Sequence, residues 1–167
     1  MDDKLIAYDM LNKKQLWKRK IPHIGSHTAL VENTLMVLQT TGKIMALDSD
    51  NGELLESKKI NGQVTGMAHL PIDTLLIITA DGGVHGYTNK LKPIWKLAIN
   101  LNPNPVYTAN DDRIIMADSN GRIKIIDDKQ GELQFDLDVH NPIYAPLLLS
   151  GERLFLATSA GEVLGID

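Results

Sequence analysis

Four stretches of the chain place apolar and polar residues in the same order. "TLMVLQTTGKIMALD" (34–48) aligns without gaps to "TLLIITADGGVHGYT" (74–88), "RIIMADSNGRIKIID" (113–127) and "RLFLATSAGEVLGID" (153–167). Each opens on a run of Leu, Ile, Val and Met, crosses a short polar turn ending in glycine, and returns as a second run that in most copies closes at Asp. The turn glycines Gly42, Gly82, Gly121 and Gly161 are separated by 40, 39 and 40 residues. A fifth, partial copy, "DKLIAYD" (3–9), holds Asp3 in the glycine slot. This pattern predicts one antiparallel hairpin per copy, with glycine supplying the positive φ that a tight turn commonly needs.

The first runs "TLLII", "RIIMA" and "RLFLA" are apolar without alternation, as expected of strands buried on both faces. After the closing aspartate comes a second reversal, "DSDNGEL" (48–54) or "DDKQGEL" (127–133), built on Gly52 and Gly131. More polar runs follow: "QLWKRKI" (15–21), "LLESKKI" (54–60), "IWKLAI" (94–99) and "LQFDLDV" (133–139). These predict outer strands with one charged, wet side, a composition that discourages edge pairing. Each connecting segment has room for a loop and one further short strand, and no segment has a 3.6-residue apolar period.

Four strands in about forty residues, buried between like neighbours, is the arithmetic of a β-propeller blade. The expected fold is therefore all-β, a propeller of four-stranded antiparallel blades filling 1–167 as one domain. Its units are 1–21 (partial), 22–60, 61–99, 100–139 and 140–167 (partial). The chain starts and ends on the same type of strand. An arc of a larger propeller, a half-ring completed by a second copy and a closed four-blade ring all fit that count. An open arc would leave two apolar faces bare, which favours self-association.

The turn glycine, alternating run, small residue, Asp, three residues, Gly and downstream Trp resemble the PQQ-like, or quinoprotein-like, β-propeller repeat. "GKIMALDSDNGELLES" and "DKLIAYDMLNKKQLWK" carry the resemblance most fully, with "GRIKIIDDKQGELQFD" close behind. Counted from the aspartate, the aromatic slot holds Trp17 and Phe135; Trp95 falls one residue early, and Glu56 takes the slot in the second copy. The small-residue slot holds Ala7, Ala46, Gly86 and Gly165, but Ile125 in the fourth copy. The resemblance implies that such tryptophans dock between blades against small neighbours, most securely at Trp17. It also implies non-enzymatic roles of the kind served by outer-membrane assembly lipoproteins, and a bacterial extracytoplasmic setting.

Composition narrows the chemistry. Hydrophobic residues make up 43% and charged residues 23% of 167 residues, an ordinary packed protein. The net charge of −4 is uneven: residues 1–100 carry 12 Lys/Arg against 10 Asp/Glu, and residues 101–167 carry 5 against 11. Neither half has a continuous basic stretch suited to a phosphate backbone, so nucleic acid is not an expected partner. With no cysteine, disulfides, thiolate catalysis and cysteine-ligated zinc are excluded. "MDDKLIAYDM" lacks signal-peptide character, and no apolar window is long enough for a transmembrane segment.

Asp9, Asp48, Asp127 and Asp167 recur once per repeat, so they are expected to bond the amides of their own turns rather than to work as catalytic carboxylates. The histidines His23, His27, His69, His85 and His140 do not form a metal-binding motif: "HIGSH" lies in a loop without a third ligand. "DGGVHG" (81–86) opens a strand rather than a helix and makes no phosphate cradle. No metal, cofactor or catalytic residue is expected. The connections entering the first strand of each blade are the candidate binding face, at the mouth of a central channel. They carry His23, His27, Asn61, Gln63, Asn102, Asn104, Tyr107, His140, Asn141 and Tyr144, groups adaptable to peptide or polar ligands. The expected function is non-enzymatic binding or scaffolding of a protein partner, with a sensory or ligand-binding receptor domain as the alternative. A PQQ-dependent dehydrogenase is disfavoured, because the chain has no adjacent cysteine pair and no Ca²⁺-ligand cluster.

Overall fold

A computed structural model describes residues 3–69, 74–102, 105–110 and 112–167. Among them every regular element is a strand. β1 (Lys4–Asp9) and β2 (Lys14–Lys20) form a two-stranded sheet. The next sheet holds β3 (Ile24–Val31), β4 (Thr34–Gln39), β5 (Lys43–Asp48) and β6 (Leu54–Lys59). The third holds β7 (Val64–His69), β8 (Leu75–Thr79), β9 (Gly83–Tyr87) and β10 (Pro93–Ala98). The fourth holds β11 (Val106–Ala109), β12 (Arg113–Ala117), β13 (Arg122–Asp127) and β14 (Leu133–Asp138). β15 (Leu148–Ser150), β16 (Arg153–Ala157) and β17 (Val163–Ile166) close the chain as a three-stranded sheet. Within each sheet, strands adjacent in sequence are adjacent in space and antiparallel.

The sheets stack face to face, and the pleat shares each strand between two seams. Leu75 and Ile77 of β8 pack on Met36, Leu38, Ile44 and Ala46 of the preceding sheet. Leu76 and Ile78, pointing the other way, pack with Val84 and Trp95 against Ile114, Met116 and Ile126 of the following one. The same division puts Val37, Met45 and Leu47 against Leu5 at the first seam. It puts Ile115, Ala117 and Ile123 against Leu154 and Leu156 at the last. Every residue of β8 and β9 is therefore buried, which explains why the middle strands do not alternate. In the outer strands β2 and β10, a tryptophan is the only buried side chain. The first strands of successive sheets also meet, β3 against β7 and β11 against β15.

The burial pattern changes at the two ends of the stack. Ile6 and Tyr8 of β1 are 38% and 56% exposed, and Val163 of β17 is 75% exposed where its counterpart Ile123 is 0%. The end faces do not cover one another, so the chain is a partial propeller and not a closed four-blade ring.

Candidate functional site

The repeated aspartates serve their turns. Asp48 Oδ1 accepts the amides of Asp50 and Asn51 at 2.9 and 3.1 Å, and Asp127 Oδ1 accepts that of Gln130 at 2.7 Å. Asp9 accepts the Asn12 side-chain amide together with backbone amides of Leu11 and Asn12. Those bonds hold its carboxyl below the usual carboxylate range. Asp167 instead pairs with Arg153. The amide bonds tie each of the other three carboxylates to the backbone of its own turn.

Both tryptophans dock across seams. Trp17 pairs in register with Ala7, donates Nε1–H to Ser49 O at 2.8 Å, and lies on Gly52, where a Cβ would come within 2.7 Å of the indole. Two residues on, Arg19 donates to Gly52 O at 2.7 Å. Trp95 repeats this arrangement despite its early position. It pairs with Gly86, presses on Gly131 of the next sheet, and donates to Asp128 O. The other two seams depart from the rule. Opposite Ala46 stands Glu56, and the next sheet's turn buries Leu91 at a left-handed φ of 53°. Lys58 takes the part of Arg19, donating to Leu91 O at 3.0 Å and lying 5.1 Å from the centre of the Tyr87 ring. Phe135, opposite the bulky Ile125, stays 40% exposed.

Clefts lie along these two seams. One, of about 500 Å³, lies between the outer strands β6 and β10, lined by Lys58, Lys59, Asn61, His85, Tyr87 and Lys96. Burial, aided by the charge of Lys96, pushes the His85 imidazole pKa down, so its ring is neutral at pH 7. A smaller apolar cleft of about 150 Å³ runs beside Phe135, Ile125 and Leu154 at the last seam. Lys58 and Lys59 come from one repeat and Lys96 from the next, so the three form no charge run, which is why the larger cleft is invisible in the sequence. The one cue there is Glu56 standing in an aromatic slot.

The expected channel-mouth residues are spread over several settings. The connections that carry His23, Asn61, Gln63, Asn102, His140 and Asn141 fall at the sheet ends where the Gly42, Gly82, Gly121 and Gly161 turns also lie. His23 and His140 adopt left-handed φ values of 58° and 59°, so part of their role is to turn the backbone. His23 N–H bonds Asp3 at 2.9 Å, and His140 Nδ1 lies 3.1 Å from Asp138. Asn102 is engaged with the next turn: its N–H donates to Asp118 at 2.9 Å and its Nδ2 to Ser119 at 2.7 Å. Asn141 donates to Glu162 at 3.1 Å. His27 sits within β3, and Tyr107 is half-buried in β11 against the third seam. Tyr144 is exposed, and Asn104 lies outside the described residues. Among the described residues no three His, Asp or Glu side chains converge on a metal position, and no helix is long and apolar enough to cross a membrane.

One buried carboxyl escaped sequence reasoning. Asp128 accepts the Thr74 hydroxyl at 3.2 Å through Oδ2, while Oδ1 is buried without a partner among the described residues. Burial pushes its pKa up. The folded state therefore favours the protonated acid, and that contribution is lost as pH rises through the folded pKa. Asp128→Asn is expected to raise the thermal midpoint at pH 7 by roughly 2–4 °C, with no gain at about pH 3, where the acid is largely neutral in both states. Calorimetry at the two pH values checks this.

Stacked four-stranded sheets, a glycine at a fixed place in each hairpin and an aspartate in most, and tryptophans docked on glycines define a β-propeller of PQQ-like repeats. Residues 1–95 match the family described as outer membrane protein assembly factor BamB, and the chain belongs to that family. It matches no curated protein in sequence. Among solved structures it is similar to BamB from Moraxella catarrhalis, with a TM-score of 0.78 and 16% identity over 98% of this chain and 52% of that one. It is also similar to BBS1N, in a complex with ARL6DN (0.72; 16%; 97% and 57%), and to the computationally designed Ika4 protein (0.69; 18%; 83% and 88%). The chain thus spans about half the length of the BamB structure it matches.

Proposed function

We propose that the chain is a non-enzymatic protein-interaction propeller whose bare end sheets associate with further blades, here a second copy. The end faces carry this reading. Inside the stack, the slots equivalent to Ile6, Tyr8 and Val163 are buried; at the ends they meet solvent. Charge favours head-to-tail contact. Residues 3–21 contain six Lys/Arg against two Asp, whereas residues 140–167 contain one Arg against three Asp/Glu, so opposite ends attract while like ends repel. The complex in which BBS1N is found supports protein binding, and the connections holding His23, Asn61 and His140 are the face offered to a partner. The turn-bonded state of Asp9, Asp48 and Asp127 supports a role without catalysis.

Light scattering at micromolar concentration is expected to give at least twice the 18.5 kDa chain mass. Val163→Glu or Tyr8→Glu should shift it toward the single chain, and a single-chain mass for the unaltered protein would overturn ring completion.

A further inference from the structure

We propose that the cleft between β6 and β10 binds an acidic peptide segment of a protein partner. The inference rests on the protein-binding reading and names the partner's chemistry. At the first and third seams an indole fills the space between outer strands, Trp17 on Gly52 and Trp95 on Gly131. At the second seam the slot holds Glu56 and the receiving glycine is replaced by buried Leu91. The space beside Glu56 stays open as a cleft of about 300 Å³, and farther along β6, from Lys58 on, an adjoining cleft of about 500 Å³ separates the same outer strands.

The walls select charge. Lys58, Lys59 and Lys96 line the larger cleft, and among the described residues no carboxylate does. The Asp81 carboxylate, close enough to feel Lys96, is tied to the Thr79 hydroxyl and the Gly83 amide. Lys58 is held over Tyr87 by its bond to Leu91 O, and Lys59 by its bond to Thr41 O. One donated bond each leaves further ammonium protons for a ligand carboxylate. His85, stacked on Tyr87 with centroids 6.3 Å apart, provides a flat floor for the ligand's aliphatic carbons. The adjoining cleft is lined by Glu32 and Glu56 as well as Lys90, so acidic residues are accepted at the Lys59 end and discouraged at the other. Three lysines fall short of the six to ten phosphate contacts typical of duplex binding, and a cleft of this volume holds a few side chains. An extended chain laid between two outer strands matches both limits.

The test is fluorescence anisotropy of a labelled ten-residue oligoglutamate peptide, with oligolysine and a short single-stranded DNA as comparators. Oligoglutamate is expected to bind, to weaken with added salt, and to lose about tenfold in affinity or more in Lys59→Glu/Lys96→Glu. Lys59→Gln/Lys96→Gln should lose less, and Lys14→Glu, on β2, should leave binding unchanged. The substituted residues Lys14, Lys59 and Lys96 are all exposed, so thermal midpoints should stay near that of the parent. The proposal is overturned by absence of oligoglutamate binding at about 1 mM, by equal binding of oligolysine, by undiminished affinity in both double variants, or by tighter DNA binding with the same lysine dependence. Oligomeric mass is read separately, so failure of ring completion and failure of the cleft are distinguishable.

Discussion

Replacing Trp95 with alanine should remove roughly 3–5 kcal/mol of stability, the range for emptying a buried aromatic site. Trp95 is only 9% exposed, wedged between Gly86 of its own sheet and Gly131 of the next. It also satisfies the Asp128 carbonyl. The collapse that usually softens such a cavity is limited here, because both walls are backbone in paired strands or a tight turn. Urea unfolding measures the loss through its midpoint, and a change below about 1 kcal/mol would show that the indole is not what joins the two sheets. Gly131→Ala adds a check on mechanism. It should cost much less in the Trp95→Ala background than alone, since the clash at 2.5 Å is with the indole itself.

The second large effect is expected at Gly121, and Gly161 provides its own control. Both glycines turn equivalent hairpins at nearly the same left-handed φ, 84° and 82°. An alanine Cβ at Gly161 meets nothing within 4 Å, whereas at Gly121 it comes within 2.6 Å of the Asn141 backbone oxygen and 2.8 Å of its nitrogen. Gly161→Ala should therefore cost about 1–2 kcal/mol, the backbone term alone. Gly121→Ala should cost that and roughly 1–3 kcal/mol more for overpacking against main chain that cannot rotate away. Equal losses in chemical denaturation would remove the steric part of this account.

The same pair of glycines separates what is legible in the sequence from what is not. Period and turn chemistry are local, so Gly42, Gly82, Gly121 and Gly161, together with Asp48 and Asp127, announce hairpins through their immediate neighbours alone. What lies across a seam is set by residues one repeat away. Nothing in "DSNGR" and "SAGEV" distinguishes a crowded glycine from an open one. Trp95 is the weaker of the two docking expectations because its turn is short by one residue, yet Gly86 and Gly131 accept it as Ala7 and Gly52 accept Trp17. Along the chain Asp128 is simply a neighbour of the turn aspartate, and only the stacking shows it buried beside Thr74. The Lys58, Lys59 and Lys96 cluster likewise exists only once two outer strands stand side by side.

Because every sheet here pairs strands that are consecutive in the chain, no hydrogen-bonded ladder among the described residues reaches beyond its own forty residues. Cohesion from one sheet to the next passes chiefly through side chains. Injury to one seam is therefore felt by its immediate neighbours and fades with distance, as in other linear arrays of repeats. The polypeptide can loosen from either extremity while its middle sheets hold their shape.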